Sequence, residues 1–310
     1  MPESLVLALD IGGTKVESAL VDELGRVVHG SRFRRPTGAS RTSGELAAHV
    51  REAMSATVET LHARATLRGV GIGSAGPVDL GRGLVSPLNL PAWRGYPLVD
   101  LVSECVPDTP VTLRMDGLCI TLAEHWVGAA QACPDVLGMV VSTGIGGGLI
   151  LGGRTVTGSS GNAGHIGHVE VSGFDDPCAC GGTGCLEAIA SGPRSVAWAQ
   201  ARGWVGATGE DLAQSYASGN EIAVAAVERA GRAIGRAIGA AASLTDLELV
   251  VIGGGFSTVT PDLFEHIRRG IDEHSTFDFV RKVRVVPSAL SDEGPLIGAA
   301  ALVHRAALLG

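Results

Sequence analysis

The densest chemistry in the sequence is one histidine and three cysteines. His168 is followed after nine residues by Cys178, after one more by Cys180 and after four more by Cys185. Three thiolates and an imidazole match a closed tetrahedral zinc site, and Gly181, Gly182 and Gly184 let the intervening chain fold around an ion. Four protein ligands leave no open position for a reacting water, so the expected role is structural. The remaining cysteines, Cys105, Cys119 and Cys133, sit singly in apolar context and read as ordinary buried thiols.

Two glycine-rich turns form the second group. Asp10-Ile11-Gly12-Gly13-Thr14 is followed by Lys15, and Ser142-Thr143-Gly144-Ile145-Gly146-Gly147-Gly148 repeats the pattern; Gly253-Gly254-Gly255 adds a third turn. Amide groups freed by glycine, with a hydroxyl and a lysine nearby, can cradle phosphate oxygens. Neither long turn has the order of a Walker A loop, and the protein-kinase signatures are absent. Asp116 stands between an apolar run and a helical segment, where position alone serves a catalytic base and a helix cap equally.

The elements that carry these residues follow from periodicity. Leu5–Leu9 and Val16–Val21 read as strands around the first turn, with Arg26–Phe33 pairing back. Ser43–Ala65 has helical spacing. Val70–Ser74 and Val111–Leu113 are short strands, and Leu118–Ala132 is a helix. Leu137–Val141 and Gly148–Leu151 flank the second turn. Glu221–Leu244 is a long Ala-rich helix, Leu249–Ile252 a buried strand, and Pro295–Leu309 a closing helix. A strand, a polar glycine turn and a returning strand thus occur twice, as in two similar halves around one ligand.

Composition bounds the function. The chain has 310 residues, enough for two packed domains, and a formal net charge of −8. No Lys/Arg cluster offers a nucleic-acid surface; Arg32, Arg34 and Arg35 alternate like a solvated strand edge. The first residues lack a basic region and a long apolar run, and the most apolar later stretch is broken by glycines. The expectation is a cytoplasmic protein without nucleic-acid or membrane partners.

At this point the residues carry a resemblance. Asp10-Ile11-Gly12-Gly13-Thr14-Lys15 looks like the opening of the ROK family of sugar kinases and repressors. Gly164-His165-Ile166-Gly167-His168, with Cys178-Ala179-Cys180-Gly181-Gly182-Thr183-Gly184-Cys185-Leu186-Glu187, resembles that family's zinc signature. The later glycine turns fall in the family's order, and the resemblance covers essentially the whole chain. It implies an α/β fold of the two-lobed actin/hexokinase-like (ribonuclease H-like) type. The expected lobes are 1–114, with the closing helix 296–310 packing back on it, and 115–295 with the zinc site. A cleft between them would close over ATP, Mg²⁺ and a sugar, and a homodimer or homotetramer is expected.

The resemblance also implies roles. Asp116 matches the family's catalytic Asp, taking the proton of the attacking hydroxyl at C6. Asp10 would organise Mg²⁺ and phosphate. Gly12, Gly13, Thr14, Lys15, Thr143, Gly144, Gly146, Gly254 and Gly255 would surround the nucleotide. Gly76, Asn89, Met115, His165, His168 and Glu187 would surround the sugar, with His168 also ligating zinc.

Three positions depart from the family pattern. Met115 replaces an Asn, Leu118 a polar residue and His165 a Glu. A thioether cannot replace an amide's hydrogen bonds, and a sugar hydroxyl left without its partner costs about 1–3 kcal/mol. The Gly-His-Ile-Gly-His form is similar to that of bacterial N-acetylmannosamine kinases. An imidazole can donate as well as accept, which suits an amino- or amide-bearing sugar such as N-acetylmannosamine or kanosamine. A glucokinase, a cyclitol kinase and a non-catalytic sugar sensor are the alternatives. A repressor is disfavoured, because the first turn begins at residue 10.

Overall fold

The computed structural model describes residues 3–290 and 292–310. In chain order the elements begin with β1 (Glu3–Ile11), β2 (Lys15–Val21), β3 (Phe33–Pro36), α1 (Ser43–Val58) and β4 (Ala65–Ser74). Three two-residue strands follow, β5 (Val78–Asp79), β6 (Leu84–Val85) and β7 (Tyr96–Pro97), then α2 (Leu98–Cys105), β8 (Val111–Met115) and α3 (Asp116–Val127). Next come β9 (Val136–Val141), β10 (Ile145–Leu151), β11 (Arg154–Val156), α4 (Leu186–Ala190), α5 (Gly192–Gln200), α6 (Gly209–Ala217) and α7 (Glu221–Thr245). The chain finishes with β12 (Leu249–Gly253), α8 (Leu263–His274), α9 (Asp278–Arg281), β13 (Arg284–Pro287) and α10 (Gly294–His304). No helix among the described residues is long and apolar enough to cross a membrane.

The chain divides into two compact units. One comprises Met1–Ala132, Gly148–Gly164 and Ala289–Gly310; the other comprises Cys133–Gly147 and His165–Ser288. The five-stranded sheets have the orders β3-β2-β1-β4-β8 and β11-β10-β9-β12-β13. Each therefore orders its own strands third, second, first, fourth, fifth, and the repeated strand-turn-strand grammar of the sequence is a repeated sheet topology.

In the first unit, alternation along β1 assigns the two faces of its sheet. Leu5, Leu7, Leu9 and Ile11 join one apolar cluster with Leu46, Val50 and Met54 of α1 and Leu98, Leu101 and Val102 of α2. Val6 and Ala8 face the other way and pack with Leu296, Ala299 and Ala300 of α10. The second face is lined by small residues because α10 comes very close. A Cβ on Gly71 would lie 1.8 Å from the Ala299 carbonyl oxygen, and one on Gly298 would lie 1.8 Å from that of Cys119. In the second unit α7 packs along α8 in the same manner: a Cβ on Gly235 would fall 2.1 Å from the Ile267 carbonyl oxygen.

Several boundaries differ from the sequence expectations. Arg26–Phe33 pairs back only in part and is not a continuous strand. Val27 forms an isolated antiparallel bridge to Val21 of β2, and Val28 N–H donates to the Leu20 carbonyl. Asp22 Oδ1 accepts from Leu24 and Arg26 N–H, and Ser31 Oγ donates to the Val28 carbonyl, which wraps the segment as a loop; the continuous ladder with β2 starts at Phe33. The helix expected to reach Ala65 stops at Val58, and β4 takes over at Ala65. The helix expected from Leu118 starts two residues earlier, at Asp116, and ends at Val127. The closing helix ends at His304 and is followed by a single 3₁₀ turn, Ala306–Leu308.

The close contact of α10 is directly testable. Gly298→Ala forces a methyl into the Cys119 carbonyl and is expected to cost about 3 kcal/mol or more of unfolding free energy in urea titration. Gly44→Ala, in the first turn of α1 with open space around it, is expected to gain about 0.5 kcal/mol instead.

Candidate functional site

In the first unit the site begins where three parallel strands end together. β1 pairs with β4 so that Asp10 lies opposite Gly73, and β4 pairs with β8 so that Gly73 lies opposite Arg114. Asp10 continues the face of β1 that carries Val6 and Ala8, on the side of α10. Asp116 starts α3 one residue beyond the end of β8. Gly73 stands between them without a side chain; a Cβ there would lie 3.7 Å from the Asp116 Cα and 3.1 Å from Cys119 Sγ.

Asp116 Oδ1 accepts a hydrogen bond of 2.7 Å from the Gly117 N–H. Asp10 is buried, and burial together with the charge of Asp116 pushes its carboxyl up to about 7. Lys15 and Arg32 oppose that rise. A carboxylate pair of this kind accommodates a cation or a proton far more readily than two free charges.

The first glycine turn is held from several sides. Gly12 N–H donates to the Lys15 carbonyl, Thr37 Oγ1 donates to the Gly12 carbonyl, and Thr37 N–H donates to the Thr14 carbonyl. Asn89 lies directly over Gly13, where a Cβ would meet its Nδ2 at 2.2 Å. The turn thus carries a residue expected at the sugar against one expected at the nucleotide. Gly76 follows β4 and precedes Pro77 through a cis peptide bond. Met115 is 3% exposed and belongs to the apolar cluster. Leu118 is likewise buried.

Lys15 leads to a feature that sequence reasoning missed. Its Nζ contacts Glu17, a β2 carboxylate only 1% exposed, and Arg32 and Arg34 converge on the same group at 2.9 and 2.8 Å. Arg32 also reaches Asp292 at 2.8 Å. Burial works against the charged form of Glu17, but the bonds from Lys15 and Arg34 outweigh it and hold the carboxyl below its usual range. Of the arginines read as a solvated edge, Arg32 and Arg34 therefore belong to a network beside the turn, while Arg35 pairs with Glu52 at 2.9 Å. The available signal was a glutamate inside an otherwise buried strand, which requires partners.

In the second unit, the expected site residues gather around the Ser142–Gly147 segment. Ser142 N–H donates to the Gly144 carbonyl, closing the turn that contains Thr143. Glu187 Oε2 accepts from the Ile145 N–H at 2.8 Å. Gly254, with φ of +95°, approaches the strand before the turn so closely that a Cβ would lie 2.6 Å from the Val141 carbonyl oxygen. The 3₁₀ turn Ile166–His168 presses on the same segment, since a Cβ on Gly167 would lie 1.9 Å from the Ile145 carbonyl oxygen. Gly255 faces Ser142 Oγ, and Gly146 lies within β10.

His165 and His168 have ring centroids 4.8 Å apart. Burial, with His168 beside it, lowers the His165 pKa, so its imidazole is neutral near pH 7. His168, Cys178, Cys180 and Cys185 form the one His/Cys/Asp/Glu cluster of metal-binding compactness among the described residues, with donor atoms within 4.8 Å of one another. Cys178 Sγ lies 3.6 Å from His168 Nδ1, and Cys180 Sγ lies 3.6 Å from Cys185 Sγ. Tetrahedral bonds of about 2.3 Å place sulfur ligands roughly 3.8 Å apart, so the donor set fits zinc in both chemistry and spacing. Burial and the adjacent Cys180 and Cys178 push Cys185 up to about 12, so three thiolates here require a cation. The long helix steadies this loop: Arg229 pairs with Asp176 at 2.5 Å and Arg236 donates to the Ser172 carbonyl.

Comparison with known proteins accords with these features. The ROK family model matches residues 6–306. The chain belongs to the ROK family. It is 38% identical to an N-acetylmannosamine kinase of Escherichia fergusonii over 251 residues, 80% of this chain and 82% of that protein. It is 29% identical to a glucokinase of Thermotoga maritima over 98% of this chain and 99% of that protein. The crystal structure of a ROK glucokinase from Streptomyces griseus, in complex with glucose and AMPPNP, superposes with a TM-score of 0.83 at 30% identity, covering 97% of this chain and 99% of the other. The fold is accordingly the α/β fold of the actin-like ATPases.

The carboxylate pair gives a pH prediction. Asp10 has a folded pKa near 7 against an ordinary value of 3.8. Its contribution to stability is therefore present below about pH 4 and is lost as pH rises through 7. In metal-free buffer, Asp10→Asn is expected to match the wild type near pH 4 and to exceed it at pH 8, by up to about 4 kcal/mol. Denaturant unfolding at the two pH values checks this; a difference independent of pH contradicts it.

Proposed function

We propose that this ROK-family sugar kinase transfers the γ-phosphoryl group of ATP to the 6-hydroxyl of an amino-hexose, with N-acetylmannosamine as the leading acceptor and kanosamine next. The observation that carries the reading is Asp116 at the start of α3 beside the buried Asp10 of the first glycine turn. Phosphoryl transfer asks for charge neutralisation, alignment and a proton acceptor. Asp116 accepts the proton of the attacking hydroxyl, its carboxylate oriented by the Gly117 N–H. The amides of Gly12, Gly13 and Thr14, with Lys15 held by Glu17, meet phosphate oxygens. Thr143, Gly144, Gly146, Gly254 and Gly255 do the same on the second turn. Magnesium, when bound with ATP, neutralises the phosphate charge, and Asp10 is the carboxylate placed to help organise it.

Gly76, Asn89, His165, His168 and Glu187 orient the acceptor. His168 uses Nδ1 toward the cysteine cluster, which leaves Nε2 for a sugar hydroxyl. Zinc held by His168, Cys178, Cys180 and Cys185 supplies rigidity to this wall of the site, in the way that groups around a metal orient its ligands. The neutral His165 can donate or accept toward an N-acyl or amino group, whereas the buried Met115 offers no bond to a hydroxyl. Both favour an amino-sugar over glucose, in keeping with the identity to N-acetylmannosamine kinases. A glucokinase activity is the second reading, supported by the near-complete coverage of glucokinase relatives.

Asp116→Asn is expected to lower kcat by about 10²–10⁴-fold with little change in either KM, measured by coupled ADP release. Unchanged turnover would remove Asp116 from the chemistry. Elemental analysis is expected to find one zinc per chain. Cys180→Ser is expected to lose it, to lower Tm and to raise the acceptor KM more than the ATP KM.

A further inference from the structure

We propose that the Glu187 carboxylate couples acceptor binding to nucleotide binding, by holding the Ser142–Gly147 turn with one oxygen while serving the acceptor with the other. The inference rests on the assignment of Glu187 to the acceptor and of the turn to the nucleotide.

The geometry ties Glu187 to the turn twice. Oε2 accepts from the Ile145 N–H at 2.8 Å. It also lies against Gly144, where a Cβ would stand 2.5 Å from it and 3.4 Å from the carboxyl carbon. Gly144 therefore provides the space in which this carboxylate sits, and any side chain there displaces it. The helix bearing Glu187 is anchored on the turn at its far end as well. Ser191 N–H donates to the Glu187 carbonyl at 3.2 Å, and Gly192 N–H donates to the Ser142 carbonyl at 2.9 Å. Five-residue α4 is a short strut with both ends on one turn.

The N-terminal end of the strut also adjoins the segment assigned to the acceptor. Cys185 is its N-cap residue, and Leu186 N–H donates to the Val169 carbonyl, next to His168. These bonds link the turn, Glu187 and the histidine segment in one chain of contacts. A phosphate chain that orders the turn fixes Glu187 for the acceptor, and an acceptor that orders Glu187 fixes the turn for phosphate. Thermodynamic linkage requires the two effects to be equal.

Calorimetric titration of AMPPNP·Mg²⁺ and of N-acetylmannosamine, each alone and each in the presence of the other, tests the proposal. Glucose or kanosamine replaces N-acetylmannosamine if turnover identifies it as the acceptor. In the wild type each ligand is expected to tighten the other by the same factor, about fivefold or more. Gly144→Ala is expected to weaken the acceptor about tenfold with no nucleotide present, and to bring the coupling factor to one. Glu187→Ala is expected to weaken AMPPNP with no acceptor present by about fivefold, which decides the matter even if its acceptor binding is undetectable. Circular dichroism establishes that each variant is folded; should Gly144→Ala not fold, Glu187→Ala carries the test. If Glu187→Ala binds AMPPNP as the wild type does, or the wild-type factor is one, the coupling is refuted while the kinase assignment stands. A wild type that binds neither ligand overturns the assignment of function as well.

Discussion

Parallel pairing of β1, β4 and β8 in one register places the ends of β1 and β8 on either side of Gly73, and that constraint brings two carboxylates into the same small volume. Asp10 continues the row of small inward residues that lets α10 press on the sheet, and Asp116 opens the helix that α10 also touches. The same packing that buries Val6, Ala8 and Gly71 therefore removes Asp10 from water. Its elevated proton affinity follows from that placement, and in the proposed kinase the same carboxylate would face a cation and a polyphosphate.

The second unit solves a different problem, the fixing of a flexible glycine turn. It does so by contact from three directions: Gly254 against Val141, Gly167 against Ile145, and Glu187 with Gly192 on the turn itself. Two of those contacts come from the segment that carries the His/Cys cluster. In the proposed kinase, a metal ion on that cluster would act on the Ser142–Gly147 turn through α4 without touching substrate. The cysteines would then have a part in positioning although none meets the reactants.

Much of this was legible in the sequence, for a physical reason. A histidine and cysteines at short spacing, glycine turns after apolar strands and an aspartate at a strand-to-helix junction are local patterns, and the fold keeps each of them together. The duplicated grammar around Asp10 and Ser142 likewise appears as two sheets of one strand order. Features built across the chain were not legible. The Glu17 network draws Arg34 from β3, Arg32 from the loop before it and Asp292 from near the C-terminus, so only the misplaced polarity of Glu17 announced it. The early end of α1 at Val58 has no glycine or proline to mark it, and β5, β6 and β7 are too short for any period. The contact of Glu187 with Ile145 spans 42 residues and depends on tertiary packing alone.

The proposed acceptor is an amino-hexose, phosphorylated at its 6-hydroxyl. The most direct test is ³¹P and ¹H NMR of a single reaction holding equal amounts of N-acetylmannosamine, N-acetylglucosamine, kanosamine, glucose and mannose with limiting ATP and zinc-replete enzyme. One amino-sugar 6-phosphate is expected to dominate the products from the start. A mixture dominated by glucose 6-phosphate would contradict it, and would mean that Met115 and His165 do not set the acceptor.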